Sequence, residues 1–401
     1  MLAMRAHPLQ LEKPMEFDLG WILLGLPMAF VLGWLASRMD LRQLRFENRQ
    51  NPKAYFKGLN YLLNEQQDQA IDAFIQAVQQ DPDTSELHFA LGSLFRRRGE
   101  FERSVRVHQH LLARDDLSTK EHERAQLALA MDYLKAGLLD RAEESYRKLL
   151  GTPFQVQAQL ALLSIFERTR DWRQAQLIAQ ELDHSGLGEF KTRQAHYLCE
   201  QVDQLLKSQT ELEPTGVAKA KSLLKEALLM APQSARASIA LAQLEHQLGQ
   251  VQEAFATLLA LVHSLPQSLP LVCDELVKWS VDLGQQEVLK DLLKDAYEMH
   301  ASVDVLKALA GLQVTPLDAQ NLLSQHLQID SSLLVATWWL EHEKIEHEEQ
   351  RASLSKALVR ATTPLMRYRC AACGFEAQKH FWQCPGCQAW DSYPNLRVEE
   401  L

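Results

Sequence analysis

The chain has 401 residues, 46% of them hydrophobic and 23% charged, with a formal net charge of −10. That length allows two or three ordinary domains unless the chain is a solenoid, a choice that periodicity must make. The acidic balance weighs against a general nucleic-acid binder, which presents a basic face, and otherwise implies only solubility.

Residues 1–18 form a short N-terminal segment, of which 1–14 carry no pattern. Met15-Glu16-Phe17-Asp18 leads directly into an apolar run that begins at Leu19, so Met15 is an alternative start to Met1. Leu19 to Ala36 is without a charge, bracketed by Asp18 and Arg38. As a helix it spans roughly 27 Å, about one hydrocarbon core, and predicts a transmembrane helix over 19–37. A signal peptide is the rival reading. It needs a basic start and a small-residue cleavage site, whereas Glu12, Glu16 and Asp18 precede this run and Arg38 comes at once after it.

The segment 38–50 is basic, with Arg38, Arg42, Arg45 and Arg49, and Lys53 and Lys57 come next, whereas only Arg5 and Lys13 precede the span. The positive-inside rule therefore puts the bulk of the chain in the cytoplasm. Within the span, Gly25, Ala29, Gly33 and Ser37 fall four apart and line one helix face, where small residues let another helix approach.

From residue 51 to 362 the pattern is that of a tetratricopeptide-repeat array, an all-α stack of helix pairs. Gly58, Tyr61, Ala70, Phe74, Ala77 and Pro82 stand at the repeat's signature positions. Leu91, Gly92 and Phe95 recur in phase, with Ser104 where Ala is expected, and a third unit has Tyr133, Ala142 and Tyr146 after a loop around Asp115 to Lys120. A fourth carries Phe166 and Ala175 with the turn Thr169-Arg170-Asp171-Trp172 between them. Ser208 to Gly216, with Pro214, reads as a loop before Ala220, Leu224, Ala227 and Pro232; Ala254, Leu258, Leu261 and Pro266 mark a sixth unit. From Leu271 to about Arg360 only the helical period persists, broken at Gly284, Gly311 and Pro316, as in degenerate repeats.

Each pair exposes an apolar face that only the next pair covers, and such stacks commonly hold a partner's peptide on the inner face. Gly58, Ala70, Gly92 and Ala142 fall where paired helices come closest. Arg96, Arg97 and Arg98 read as cations complementing a helix C-terminus, with a docking patch as the other reading. His108 and His110 read as packed or solvated rather than as ligands. No phosphate loop, nucleophile elbow or H-E-x-x-H pair occurs, so the array is expected to be non-enzymatic.

Residues 365–401 hold Cys370-Ala371-Ala372-Cys373 and, after ten intervening residues, Cys384-Pro385-Gly386-Cys387. Two C-x-x-C hairpins gather four thiolates round one tetrahedral ion, zinc or iron. Two disulfides could use the same residues, but only in an oxidising compartment. So small a segment cannot fold on its own core, and the metal is expected to contribute ~10 kcal/mol or more. Gly374 and Gly386 are expected at the tight turns, and Phe375, Phe381, Trp382 and Trp390 over the site; the last three exceed what the module can bury and predict docking on the array. Cys199 and Cys273 read as buried bystanders.

The order of anchor, array and knuckle, with Arg367-Tyr368-Arg369-Cys370 and Phe381-Trp382-Gln383-Cys384-Pro385-Gly386-Cys387-Gln388-Ala389-Trp390, closely resembles the lipopolysaccharide assembly protein B family of Gram-negative bacteria. Asn64-Glu65-Gln66-Gln67-Asp68-Gln69-Ala70 and Leu91-Gly92-Ser93-Leu94-Phe95-Arg96-Arg97-Arg98-Gly99-Glu100 resemble that family's first two repeats, and the knuckle resembles rubredoxin. The resemblance implies a single-pass inner-membrane protein facing the cytoplasm that restrains lipopolysaccharide synthesis. It would do so by presenting the deacetylase of the committed lipid A step to a membrane-anchored AAA-type zinc protease, among other inner-membrane lipopolysaccharide proteins. It carries over Cys370, Cys373, Cys384 and Cys387 as metal ligands and leans to iron, while sulfur ligation alone suits zinc equally. A homo-oligomer is left open. The competing readings are a general scaffold for envelope assembly, a membrane-held electron carrier, which needs no long array, and a nucleic-acid-binding ribbon, which the acidic balance disfavours.

Overall fold

A computed structural model describes residues 27–35, 56–81, 83–186, 188–208, 213–342 and 348–401. Two compact units divide the chain, Met1–Ala158 and Gln159–Leu401. Of the apolar stretch 19–37, residues 27–35 are helical and exposed, and among the described residues no helix is long and apolar enough to cross a membrane. Ala29 and Gly33 of the small-residue series fall on this helix. Gly25, Ser37, Met15 and the basic residues Arg38 to Lys53 lie outside the described residues, as does Pro82.

In the first unit a helix over 56–63 precedes Gln67–Gln80, Ser85–Arg98 precedes Phe101–Leu112, and Thr119–Lys135 precedes Leu139–Arg147. The reversals between paired helices share one device. Gly99 and Gly137 have φ of +82° and +77°, and the next amide, of Glu100 or Leu138, reaches back to the carbonyl of Phe95 or Tyr133 at 2.9 Å. This left-handed cap satisfies carbonyls the helix end leaves open. Glu65 takes the same conformation in the first pair, φ +58°.

The signature positions are core. Ala70, Phe74, Ala77, Ala142 and Tyr146 are buried. A Cβ on Gly58 would lie 2.8 Å from a Phe74 ring carbon, and one on Gly92 would lie 2.4 Å from His108 Cε1, so these glycines permit contacts that any side chain would block. Ser104 fits the alanine position because its hydroxyl donates to Gly92 O at 2.8 Å.

The arginine run departs from the surface reading at its first member. Arg96 faces the next helix pair, donating to Ala128 O at 3.1 Å and to Asp132 at 2.6 Å, while His108 Nδ1 lies 2.5 Å from the other Asp132 oxygen. Asp132 and His108 are fully buried, so Arg96 belongs to an interior charge network. Arg98 pairs outward, with Asp68 and Glu100. His110 is exposed beside His88.

In the second unit Gln155–Thr169, which runs across the division, leads to Trp172–His184, with Arg170 at φ +59° in the turn and the Asp171 side chain accepting from Gln174 N at 3.2 Å. Lys191–Ser208 packs on Pro214–Met230, and Ala235–Gln247 on Val251–Ser264. Pro214 is the first helical residue rather than part of a loop, because its missing N–H and fixed φ suit that position; residues 209–212 lie outside the described residues. Leu269–Leu283, Gln286–Met299, Val303–Gly311, Pro316–Ile329, Leu333–His342 and Glu348–Thr362 complete the helices. Gly284 caps the first of these with φ +67°, and Pro316 opens the fourth. Here the pairs persist while the signature fades, because Leu269, Val272, Leu276, Trp279, Leu289 and Leu293 fill the same core with other shapes. Cys199 and Cys273 are buried, and burial pushes both thiols up to about 12, which leaves them inert.

Candidate metal centre and its seat

After Thr362 the helical period ends and the chain makes two short strands, Tyr368–Arg369 and Glu376–Ala377, paired antiparallel. The turn between them carries Cys370 and Cys373. Cys370 N donates to Phe375 O and Gly374 N to Cys370 O, both at 2.9 Å. The second turn repeats the pattern: Cys384 N donates to Ala389 O at 2.9 Å and Gln388 N to Cys384 O at 2.8 Å. Position for position, Gly374 at φ +78° matches Gln388 at φ +62°. The expected role of Gly386 is therefore corrected. It is not in the left-handed region, and a Cβ there would make ordinary contact with Phe375 at 3.5 Å.

The two turns bring all four sulfurs within 4.8 Å of one another. Cys370 and Cys387 are 3.8 Å apart and Cys373 and Cys384 3.7 Å. An ion about 2.3 Å from each of four sulfurs at tetrahedral angles gives edges of about 3.8 Å, so these cysteines fit zinc or iron equally. Burial works against ionisation of Cys370, but the nearby Ser392 hydroxyl and the amides of Cys373 and Ala372 bring its thiol down to about 6. Cys384 is also drawn down, against burial, by the amides of Cys387 and Gly386. Cys373 is pushed up to about 12: the Phe375 amide favours its thiolate, but burial and the neighbouring sulfurs outweigh it. Sulfurs this close need a cation to balance them all as thiolates. An ion held by all four sulfurs would have no position left for water, an arrangement that suits a structural centre.

The knuckle sits on helices of its own unit. The Trp390 ring stacks on His196 at 4.8 Å and meets Trp172 and Tyr197 edge-on at 6.0 and 5.9 Å. Its indole N–H donates at 3.0 Å to Glu167, a buried carboxylate that also accepts from the Tyr197 hydroxyl. Asp391 lies 2.8 Å from His196 Nε2, and Trp382 packs against the core of the later helices. The aromatic residues thus divide. Trp382 and Trp390 turn to the helices, whereas Phe375 and Phe381 stay 43% and 38% exposed.

The last residues add a second hold that the sequence did not signal. Arg397 bonds both oxygens of Asp304, at 2.7 and 3.1 Å, and lies 4.2 Å over the Tyr368 ring. Glu399 accepts from the Ser332 hydroxyl at 2.7 Å and from Leu333 N at 2.6 Å; Glu400 accepts from Val303 N at 2.9 Å. Both glutamates cap helix N-termini, where amides lack partners and the dipole favours an anion. Glu167, His196, Asp304, Arg397, Glu399 and Glu400 escaped sequence reading because each partner lies far along the chain. The one hint was a surplus of tryptophan in a module too small to bury it.

The rubredoxin metal binding domain family matches residues 368–393, and tetratricopeptide repeat families match 87–120 and 217–272. Lipopolysaccharide assembly protein B of Escherichia coli (strain K12) is 31% identical over 353 residues, covering 86% of this chain and 89% of its own length. The protein of that name from Haemophilus influenzae is 30% identical over 367 residues, covering 86% and 90%. Among solved structures, a tetratricopeptide repeat protein from Parabacteroides merdae aligns at a TM-score of 0.33 and 14% identity, over 66% of this chain and 98% of that one.

Proposed function

Because the chain belongs to the lipopolysaccharide assembly protein B family, we propose that it is a non-enzymatic adaptor of the bacterial inner membrane that regulates lipopolysaccharide synthesis. Its clients are the lipid A pathway deacetylase and a membrane-anchored AAA-type protease, and it promotes degradation of the first by the second. The observation that carries this reading is the pairing of a helix-pair array, a protein-binding architecture, with a metal centre whose four sulfurs leave no open position. In this reading Cys370, Cys373, Cys384 and Cys387 ligate one ion, iron by family likeness or zinc by chemistry alone. The stretch 19–37 is a single membrane anchor with the array and knuckle on the cytoplasmic side, and the Gly25, Ala29, Gly33 and Ser37 face meets another membrane helix.

The physical basis is effective concentration. Holding substrate beside protease turns a bimolecular encounter into a local one and raises capture by ~100-fold without a catalytic residue. A second reading, a general scaffold for envelope or lipopolysaccharide-transport assembly, is favoured by the word assembly in the relatives' name. Depleting the protein and following the deacetylase after synthesis is stopped separates the two. The adaptor reading expects a longer deacetylase half-life, and an unchanged one leaves the scaffold.

A further inference from the structure

Beside the knuckle's seat lies a cavity of about 660 Å³, walled by the helix starts near Ser234 and Leu269, the helix end near Met299, and Trp382, Tyr393 and Asn395 of the knuckle. Much of the lining is apolar. Three residues of its wall carry a buried polar atom without a hydrogen-bond partner: His196 Nδ1, Arg236 Nη1 and Ser302 Oγ. They are half of the six such side-chain atoms among the described residues. Buried polar groups are nearly always paired, so three unpaired ones round one cavity point to a ligand.

Their chemistry restricts what that ligand is. His196 Nε2 faces the Asp391 carboxylate at 2.8 Å, and the neutral ring with its proton on that nitrogen presents Nδ1 as an acceptor. Arg236 only donates, and its other terminal nitrogen already meets Glu200 at 2.8 Å and Asp203 at 3.1 Å, so its charge is outnumbered. The Ser302 hydroxyl does either. A phosphate offers acceptors alone, and its charge would meet Asp391, Glu200 and Asp203. A peptide group offers one donor and one acceptor without charge. We propose that this cavity holds a short, extended, uncharged apolar segment of a partner protein. Its side chains lie against Leu265, Leu269 and Trp382, and its peptide groups bond Arg236, His196 and Ser302. Since one wall belongs to the knuckle, the site is complete only when the metal centre is folded and seated. The inference rests on the adaptor reading only in supposing that a client exists, and it gives that client a defined hold.

The test is equilibrium dialysis of the full chain in detergent against a pool of N-acetylated, C-amidated hexapeptides of Ala, Val, Leu, Phe and Asn, with Asp-containing hexapeptides and dodecyl phosphate alongside, read by mass spectrometry. A subset should be retained. Ser302→Ala, whose hydroxyl makes no cap bond, should weaken retention roughly fivefold. Ala296→Trp, which fills the cavity, should abolish it, while metal content is kept in both. No retention, equal retention by both variants, or retention only of acidic peptides or dodecyl phosphate overturns the proposal. If dialysis fails while depletion still lengthens the deacetylase half-life, this site is wrong and the adaptor reading stands.

Discussion

His108 packs so closely on Gly92 that a Cβ there would collide with its ring. His108 cannot swing away, because it is fully buried and tied to Asp132. Gly92→Ala should therefore cost ~1–3 kcal/mol, read as a lower urea midpoint with unchanged m-value. The cost should largely vanish in a His108→Ala background, and a full cost there would place the strain elsewhere. In the second unit the Tyr297 hydroxyl and His326 Nδ1 lie 2.6 Å apart in a hydrogen bond. Burial lowers the His326 pKa from 6.5, with Asp330, Glu399 and Glu400 acting in the opposite sense. The unfolded ring thus takes a proton at higher pH than the folded one. Its contribution is whole above about pH 6.5 and is lost as pH falls toward the folded value. The urea midpoint should drop on acidification from pH 7 to 5.5, and drop less in His326→Leu; equal drops would remove His326 from the account.

At the scale of single elements, two helix ends are finished by residues from the far end of the chain. Glu399 takes the amide of Leu333 and the hydroxyl of Ser332, completing the N-terminus of Leu333–His342. Glu399→Ala should cost about 1 kcal/mol locally and speed amide exchange at Leu333 and Leu334 severalfold. Exchange as slow as in the parent would mean that the carboxylate adds nothing to the cap. The knuckle's turns make the same point about backbone. Gln388 adopts the left-handed conformation that Gly374 adopts, because its amide must reach Cys384 O to aim the second pair of sulfurs.

For the molecule as a whole, the metal centre and its seat should be separable. Cys384→Ser should release the ion, unfold residues 365–401 and open them to protease. Trp390→Ala should keep the ion, yet lose contacts with Trp172, His196 and Tyr197 and the bond to Glu167, at ~3–5 kcal/mol. Metal analysis and limited proteolysis of both variants decide this. If Trp390→Ala leaves the tail as protected as the parent, the seat is held by Arg397, Glu399 and Glu400 instead.

The helix pairs and the sulfur cluster were legible in the sequence because each depends on short spacings. The small residue Ala70 four before Phe74, or Cys370 three before Cys373, sets local geometry wherever the chain goes next. The later pairs lost their signature but kept their period, since many apolar shapes fill a core of the same volume. What the tertiary structure decided were the contacts between distant residues. It alone turned Arg96 from surface charge to interior partner, set Trp390 against Glu167 in the seat, and brought Glu399 to Leu333 and His196 to Asp391. Such pairs depend on how helices stack over hundreds of residues, and no spacing within one segment encodes that distance.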